Sequence, residues 1–211
     1  MARLSADDRR EQLVEAAIRV MIRDGVAKTT TRAVVAEAEV PLGAFHYCFR
    51  SKEELLQSVT ERIMERSLAP VRAVPEGTTP YEAIRANLHL YWDRVRSRPD
   101  EHQVTYELTQ YALRQPGLAE AARRQYRHYL ATSSDYLEAT ARTLGIRWTV
   151  DLPVLARHGL SVLDGLTLSW LIDRDDEAAT AALDEFARYL ASVAEPANPA
   201  PANPAPPNAA S

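Results

Sequence analysis

Residues 29–56, TTTRAVVAEAEVPLGAFHYCFRSKEELL, hold polar side chains whose types and spacing suit contact with phosphate groups. Thr30, Thr31 and Arg32 stand where a short helix would begin, so two hydroxyls and a guanidinium accompany free backbone N–H groups. Lys52 lies in the first turn of a later helix, and an ammonium beside a helix N-terminus also suits a phosphate. Both positions are therefore candidates for binding a phosphate backbone.

Between these positions, small and apolar residues precede a polar pair. Leu42 and Ala44 flank Gly43, and His46 and Tyr47 follow. A glycine inside a helix costs about 1 kcal/mol relative to alanine. Either the helix packs closely on a neighbouring helix, or it closely approaches a groove of nucleic acid. His46 and Tyr47 likewise have two interpretations, as half-buried structural residues or as donors to phosphate. The residues alone leave both pairs of alternatives open.

Three short helices joined by tight breaks would position these side chains. Thr30 can cap the first helix. Residues 39–41 interrupt it, and the proline among them suits the first turn of the second helix, residues 42–48. Ser51, with Glu54 three residues later, forms a capping-box signature for the third helix. Short helices across a tight turn predict a helix-turn-helix.

The composition limits the class of protein. An apolar fraction of 46% is enough for a packed core. No apolar run reaches the roughly 18 residues of a membrane span, and the N-terminal residues lack the hydrophobic segment of a signal peptide. The single cysteine, Cys48, excludes an internal disulfide. We expect a cytoplasmic protein with no membrane partner.

The charge is a weak argument about partners. The net charge of −4 argues against a nucleic-acid binder, but a whole-chain charge can hide a local patch. Residues 1–52 carry nine lysines and arginines against seven acids, which is a small excess. Any affinity for DNA must then come from the placement of a few groups.

Catalytic and metal-binding signatures are missing from the sequence. None of the five histidines has a glutamate three residues before it or another histidine four residues away, as helical di-iron and zinc sites need. No Gly-x-Ser-x-Gly motif, phosphate loop or dinucleotide fingerprint occurs. We expect no enzyme activity, no cofactor and no metal.

The stretch RREQLVEAAIRVMIRDGVAKTTTRAVVAEAEVPLGAFHYCFRSKEELL resembles the N-terminal domain of the TetR family of bacterial transcription regulators. That family typically shows an opening helix, a glycine, two threonines and a V-R-x-I-A-like helix, followed by A-G-V-S-x-G-x-L-Y-x-Y-F-x-S-K. The chain matches this pattern without a gap at Gly25, Thr29, Thr30, Arg32, Ala38, Val40, Gly43, Phe49, Ser51 and Lys52.

Five positions depart from the family pattern. Glu39 replaces the usual turn glycine and Pro41 replaces the usual cap serine. Val35 stands where the family favours alanine, His46 replaces a tyrosine and Cys48 replaces an aromatic residue or histidine. These changes leave the expected fold intact, but they put the turn geometry and the choice of bases in doubt.

The resemblance implies a DNA-binding surface with two parts. Leu42, Gly43 and Ala44 would face the bases, where apolar Leu42 and Ala44 suit thymine methyl groups. Phosphates would be bound by side chains at the rim of the helix-turn-helix, namely Thr30, Thr31, Arg32, His46, Tyr47 and Lys52.

The resemblance also implies that the later helices bind an effector. We expect a pocket lined by aromatic residues with polar ends, although most aromatics at helical spacing belong to a core. Tyrosine and tryptophan with few buried charges indicate an uncharged or weakly polar, aromatic or lipophilic effector. The candidate pocket residues are Trp92, Tyr106, Tyr111, Tyr126 and Tyr129.

The last two helices carry an apolar stripe that would form the interface of a homodimer. Together they offer more apolar surface than a monomer needs, as a four-helix interface would. The alternative is that the stripe is wholly intramolecular core. The candidate interface residues are Val162, Leu166, Trp170, Leu183, Phe186 and Leu190.

Periodicity and composition predict an all-α fold of about nine helices. With the resemblance, we expect a three-helix helix-turn-helix domain over residues 1–55 and a C-terminal helical domain for ligand binding and dimerisation over 56–195. Residues 196–211 would form a disordered Pro/Ala-rich tail.

The expected function is that of a ligand-responsive regulator, most simply a repressor. It would bind a pseudo-palindromic operator in double-stranded DNA as a homodimer, and an unidentified small-molecule effector would release it. The alternative is a helical protein that binds a small molecule or a partner without binding DNA, which Glu39, Pro41 and the weak basic charge support.

Overall fold

The computed structural model describes residues 5–67, 77–115 and 119–197. In these residues the chain forms nine α-helices, which confirms the predicted all-α fold, and a two-stranded sheet. No helix in the described ranges is long and apolar enough to span a membrane. The elements are α1 (Ala6–Asp24), α2 (Thr31–Glu37), α3 (Leu42–Cys48), α4 (Lys52–Ser67), α5 (Pro80–Ser97), α6 (Pro99–Arg114), α7 (Ala119–Leu144), β1 (Ile146–Trp148), α8 (Leu152–Asp173), α9 (Asp176–Ser192) and β2 (Ala194–Pro196).

Local sequence explains where several helices begin. Ser5 and Asp8 form a reciprocal capping box at α1, and Thr79 and Glu82 form another at α5. The Thr30 hydroxyl caps α2 by accepting from a backbone N–H of the first turn at 3.1 Å. Each cap satisfies donors that the helix itself leaves unpaired.

The caps observed at α3 and α4 differ from the predicted ones. Pro41 is the N-cap residue of α3, with φ −62° and ψ 150°, and therefore lies before the first turn. Ser51 accepts from the Glu54 N–H at 3.3 Å. The Glu54 carboxylate does not return to Ser51 but accepts from the Arg50 N–H and from the Arg10 guanidinium, each at 2.9 Å. Glu54 thus ties the start of α4 to α1.

The turn between α2 and α3 has the hydrogen bonds of a Schellman motif. The Val40 N–H donates to the Val35 carbonyl at 3.0 Å, and the Glu39 N–H donates to the Ala36 carbonyl at 3.1 Å. Glu39 has a φ of +54°, in the left-handed region that costs a non-glycine residue about 1–2 kcal/mol. The chain therefore keeps the tight turn despite the missing glycine, at an energetic cost.

The apolar residues form two cores. The N-terminal core joins α1, α2, α3 and α4, and it includes Val104 and Leu108 of α6. The C-terminal core lies among α5, α8 and α9, where the rings of Trp92 and Trp170 meet at 5.5 Å. Because Val59 of α4 is fully buried in the N-terminal core, the domain boundary predicted after residue 55 falls inside a helix that belongs to this core.

The two-stranded sheet corrects the prediction of no strand. Ile146 pairs with Pro196 and Trp148 with Ala194 in antiparallel register, and the Trp148 indole donates to the Leu137 carbonyl at 3.0 Å. Three residues are too few for a period-two pattern, and the partners lie far apart in the sequence. Pro196, predicted to begin the tail, is instead the last residue of β2; the tail from residue 198 lies outside the described residues.

Glu39→Gly should raise the free energy of unfolding by about 0.5–1 kcal/mol, because glycine adopts a positive φ without a Cβ penalty but loses more backbone entropy. Urea denaturation of the full chain measures the change. Glu39→Ala is the control, since it removes the carboxylate and keeps the Cβ. Equal gains in the two variants would assign the effect to the charge and not to the backbone.

Candidate DNA interface and ligand cavity

The recognition helix α3 is anchored on its inner side. Phe45 is 1% exposed, and its ring centroid lies 5.5 Å from that of Phe49. The Arg10 guanidinium stacks on Phe49 at 4.2 Å and donates to the Cys48 carbonyl at 2.6 Å. A short helix of seven residues depends on such tertiary contacts, because it is too short to be stable alone.

The outer side of α3 is exposed to solvent. Leu42, Gly43, His46 and Tyr47 are exposed, Tyr47 by 77%, and Ala44 is half-buried. A Cβ added at Gly43 would meet nothing within 4 Å. Close packing on a neighbouring helix therefore does not explain Gly43, and close approach to an external partner remains.

The residues predicted to contact phosphates differ in their exposure and in the contacts they already make within the protein. Arg32 is exposed and forms no ion pair with the described residues, Thr31 is half-buried, and the Thr30 hydroxyl is already an acceptor in the α2 cap. Lys52 is half-buried, and its Nζ lies 5.3 Å from the ring centroid of Tyr111 in α6. Burial lowers the pKa of Lys52.

Most arginines of α1 and α4 are committed to intramolecular pairs. Arg19 and Arg23 each contact Glu37 at 2.8 Å, and their hydrogen bonds, that of Arg19 first, lower the pKa of Glu37. Arg66 contacts Glu101 of α6 at 2.8 Å. Within residues 5–52, all of them described, the basic side chains without an ion pair are Arg9, Lys28, Arg32, Arg50 and Lys52.

Arg50 is a candidate DNA contact that the sequence analysis missed. It is exposed and stands two residues beyond the C-terminus of α3. A basic residue directly after a recognition helix is a signal visible in the sequence. Lys28, exposed at the end of the short 3-10 helix before α2, is a second such candidate DNA contact.

A cavity of about 320 Å³ lies among α5, α6, α7 and α8, at the lower end of the roughly 300–1,000 Å³ of small-molecule sites. It is mostly apolar, with polar groups on several walls. Asn87 of α5 is 7% exposed, its Nδ2 donates to the Ala83 carbonyl at 3.1 Å, and its Oδ1 has no partner among the described atoms. The lining tyrosines are Tyr91, Tyr106, Tyr126, Tyr129 and Tyr136.

The prediction of the pocket residues requires one correction. Tyr106, Tyr126 and Tyr129 line the cavity as predicted, but Trp92 and Tyr111 do not. Trp92 is 2% exposed and packs in the C-terminal core. Tyr111 packs against the N-terminal core and under Lys52, because it lies on the face of α6 that points away from the cavity.

The predicted dimer interface also requires correction. Trp170, Leu183, Phe186 and Leu190 are buried within the single chain, and Phe186 and Leu190 line the cavity. Val162 and Leu166 are half-buried against the same core. Four of the six predicted interface residues are thus core of the single chain, whereas Val162 and Leu166 keep part of their surface exposed.

A different face of α8 remains open. Val154, Leu168 and Ile172 are exposed there, Ile172 by 80%, and their spacing places them along one side of the helix. Exposed Ala178, Ala181 and Ala182 of α9 are small residues in the helix packed beside it. We call these six residues the α8–α9 outer face.

No group of three or more His, Cys, Asp or Glu side chains that could hold a metal ion occurs in the described part of the chain. The two candidate sites in the described residues are the helix-turn-helix surface and the cavity.

Comparisons with known proteins agree with this division. Residues 13–59 match bacterial regulatory proteins of the tetR family, and residues 80–195 match the C-terminal part of BetI-type transcriptional repressors. The molecule is a transcription regulator with an N-terminal helix-turn-helix domain and a C-terminal ligand-binding domain. The chain belongs to the TetR family of bacterial regulators.

Individual relatives support the same assignment. The nicotine-responsive transcriptional repressor HdnoR of Paenarthrobacter nicotinovorans is 32% identical over 178 residues, which cover 82% of this chain and 89% of that protein. The crystal structure of the multidrug binding protein EbrR complexed with imidazole has a TM-score of 0.63 and 26% identity, covering 93% of each chain. A regulator from Rhodococcus sp., with a TM-score of 0.71, 18% identity and coverage of 87% and 98%, shares the fold.

Gly43→Ala should leave the chain folded, with a gain in stability of up to about 1 kcal/mol, and should weaken operator binding. The added Cβ meets open space in the protein but would occupy the surface that approaches the groove. Urea denaturation and a gel-shift titration measure the two effects. Unchanged operator affinity would show that close approach at Gly43 is unnecessary.

Lys52→Ala should weaken binding to all DNA sequences similarly and reduce the slope of log K against log salt by about 1 for each bound subunit. The physical reason is the loss of one phosphate contact. Fluorescence-anisotropy titrations at several salt concentrations measure the slope. A slope equal to that of the wild type would place the Lys52 ammonium on Tyr111 in the DNA complex as well.

Proposed function

We propose that the protein is a ligand-responsive repressor that binds a pseudo-palindromic operator as a homodimer and leaves it when a small molecule occupies the cavity. The main observation behind this proposal is that α6 contacts both the cavity and the DNA-binding domain. Family membership supports DNA binding, and the ligand-responsive relative supports an effector.

One side of α6 lines the cavity, through His102, Thr105, Tyr106 and Thr109. A ligand that separates α6 from α7 or α8 would therefore displace this helix. Such a ligand favours whichever arrangement of α6 binds it better, so its effect is a shift in population between two conformations.

The other side of α6 contacts the DNA-binding domain. The Glu107 carboxylate accepts from the Val26 N–H at 3.1 Å, at the start of a short 3-10 helix (Val26–Lys28) between α1 and α2. The Tyr111 ring lies beside Lys52 at the start of α4, and Leu108 lies in the N-terminal core. Displacement of α6 would thus change the position of α2 and α3, and with it the separation of the two recognition helices in a dimer.

The dimer that we propose forms through the α8–α9 outer face. Leu168 and Ile172 are large apolar side chains in contact with solvent, and a second copy related by two-fold symmetry would bury them on both sides. A single recognition helix reads few base pairs, so two helices are needed for an operator.

Base reading would rest on apolar contacts and on DNA shape. Leu42 and Ala44 offer methyl groups to thymine, and Arg32 and Arg50 offer guanidinium groups to phosphates. The small number of unpaired basic residues fits a protein whose recognition depends on their placement in a dimer and on DNA deformability.

A gel-shift titration with the DNA flanking the protein's own gene tests the proposed function. Saturable binding that weakens as salt increases is expected. Absence of binding at low salt, with the protein folded, would favour a helical ligand-binding protein that does not bind DNA.

Ile172→Asp should convert the dimer into a monomer and lower operator affinity strongly. Burial of a large aliphatic side chain contributes about 1.5–3 kcal/mol for each subunit, and the variant would bury a carboxylate instead. Sedimentation velocity at micromolar protein measures the state of assembly.

Leu113→Asp is the matched control for this variant. Leu113 is 63% exposed and is the second-to-last residue of α6, as Ile172 is of α8, but it lies outside the outer face. It should leave the dimer intact. A wild-type protein that sediments as a monomer, or an Ile172→Asp protein that sediments as a dimer, would reject the proposed interface.

A further inference from the structure

An acidic side chain faces the ligand cavity. Asp164 of α8 is among the lining residues, and the Tyr106 hydroxyl donates to its backbone carbonyl at 2.9 Å. Burial and then the charge of Asp164 raise the pKa of Tyr91 and of Tyr106. Tyr91, Tyr106 and Asp164 thus line the same cavity, and the Tyr106 hydroxyl is in direct contact with the Asp164 backbone.

This carboxylate has no basic partner in the described part of the chain. Asp164 forms no ion pair there, and no described lysine or arginine lines the cavity. Burial raises the pKa of Asp164, with no neighbouring cation to offset the effect. Burial also lowers the pKa of His102 on the facing helix, which favours its neutral form. Asp164 is itself exposed, so the cavity presents a solvent-accessible carboxylate that forms no ion pair with the described residues.

The other walls suit a cation with an apolar body. The five lining tyrosines offer aromatic faces that attract ammonium groups, while Leu160 and Leu163 of α8 and Leu88 of α5 provide apolar surface. Asn87 adds an unpaired Oδ1 that can accept a hydrogen bond from the ligand. The Arg157 guanidinium lies 5.3 Å from the Tyr126 ring centroid, so the cation would bind beside the other lining tyrosines and Asp164.

We propose that the cavity binds a protonated organic amine with an aromatic or aliphatic body, and that Asp164 accepts the N–H groups of the ammonium. This inference rests on the proposed function, in which the cavity is the effector site, and it names the ligand class. It replaces the expectation of an uncharged effector, which was based on the aromatic content alone. A cation at Asp164 stabilises the carboxylate that folding leaves unpaired.

Two probes of the same skeleton test the ligand class with the full chain. Benzylpiperidine is protonated at neutral pH, whereas benzoylpiperidine is its neutral amide. Isothermal titration calorimetry should show that the wild type binds the amine about tenfold or more tightly than the amide, since a charge-assisted hydrogen bond is stronger than a neutral one.

Asp164→Asn should abolish this preference, and binding of the amide should change little. The variant should fold about as stably as the wild type, because Asp164 is exposed and the substitution keeps the side-chain shape. Asp135→Asn is the matched control, since Asp135 is an exposed carboxylate of α7 that does not line the cavity. The control should keep the preference for the amine.

Equal affinity of the wild type for the two probes, or a preference that survives in Asp164→Asn, would overturn the inference. Absence of heat with both probes would equally reject amines as ligands of this cavity. A gel shift of the same preparations separates this failure from that of the proposed function. Operator binding with no preference for the amine rejects the ligand class alone, whereas loss of operator binding by the wild type rejects the regulator.

Discussion

The packing of α6 between the N-terminal core and the cavity is the constraint on which the rest of the molecule depends. Val104 and Leu108 fill the N-terminal core, and Tyr106 on the opposite side forms part of the cavity wall. Protein interiors are close-packed and resist small displacements. A ligand that displaces α6 would therefore also disturb the helix-turn-helix, through a single helix.

The DNA-binding domain uses several of its basic residues in internal ion pairs. Arg10, Arg19 and Arg23 of α1 connect this helix to α2 and α4 through Glu37 and Glu54, so they stabilise the helix-turn-helix and are already paired within the protein. This explains how a region with a small basic excess can still present a usable surface. The positive groups that remain, such as Arg32 and Arg50, flank the recognition helix. At Glu39 the chain accepts a strained backbone conformation, and this keeps the turn that positions α3.

Helix α8 has one face toward the core, one toward the cavity and one toward solvent. Leu155 and Trp170 are buried in the core, Asp164 faces the cavity, and Ile172 faces solvent. These faces are successive sectors of one helix, so a ligand beside Asp164 and a second subunit on the outer face would act on the same rigid element. The cavity and the proposed dimer face thus lie on the same helix, as the cavity and the contacts to the DNA-binding domain lie on α6.

Caps, prolines and helical periodicity in the sequence determined the helix boundaries and the helix-turn-helix, because these signals act within a few residues. They placed Thr30 at a helix start, as observed. Tertiary structure alone decided what each helical face meets. Periodicity defines an apolar face but not its neighbour, so Leu183 is core and not interface, and Tyr111 meets Lys52 and not a ligand. The β1–β2 pairing and the unpaired Asp164 carboxylate likewise depend on segments distant in sequence, which only the folded chain brings together or keeps apart.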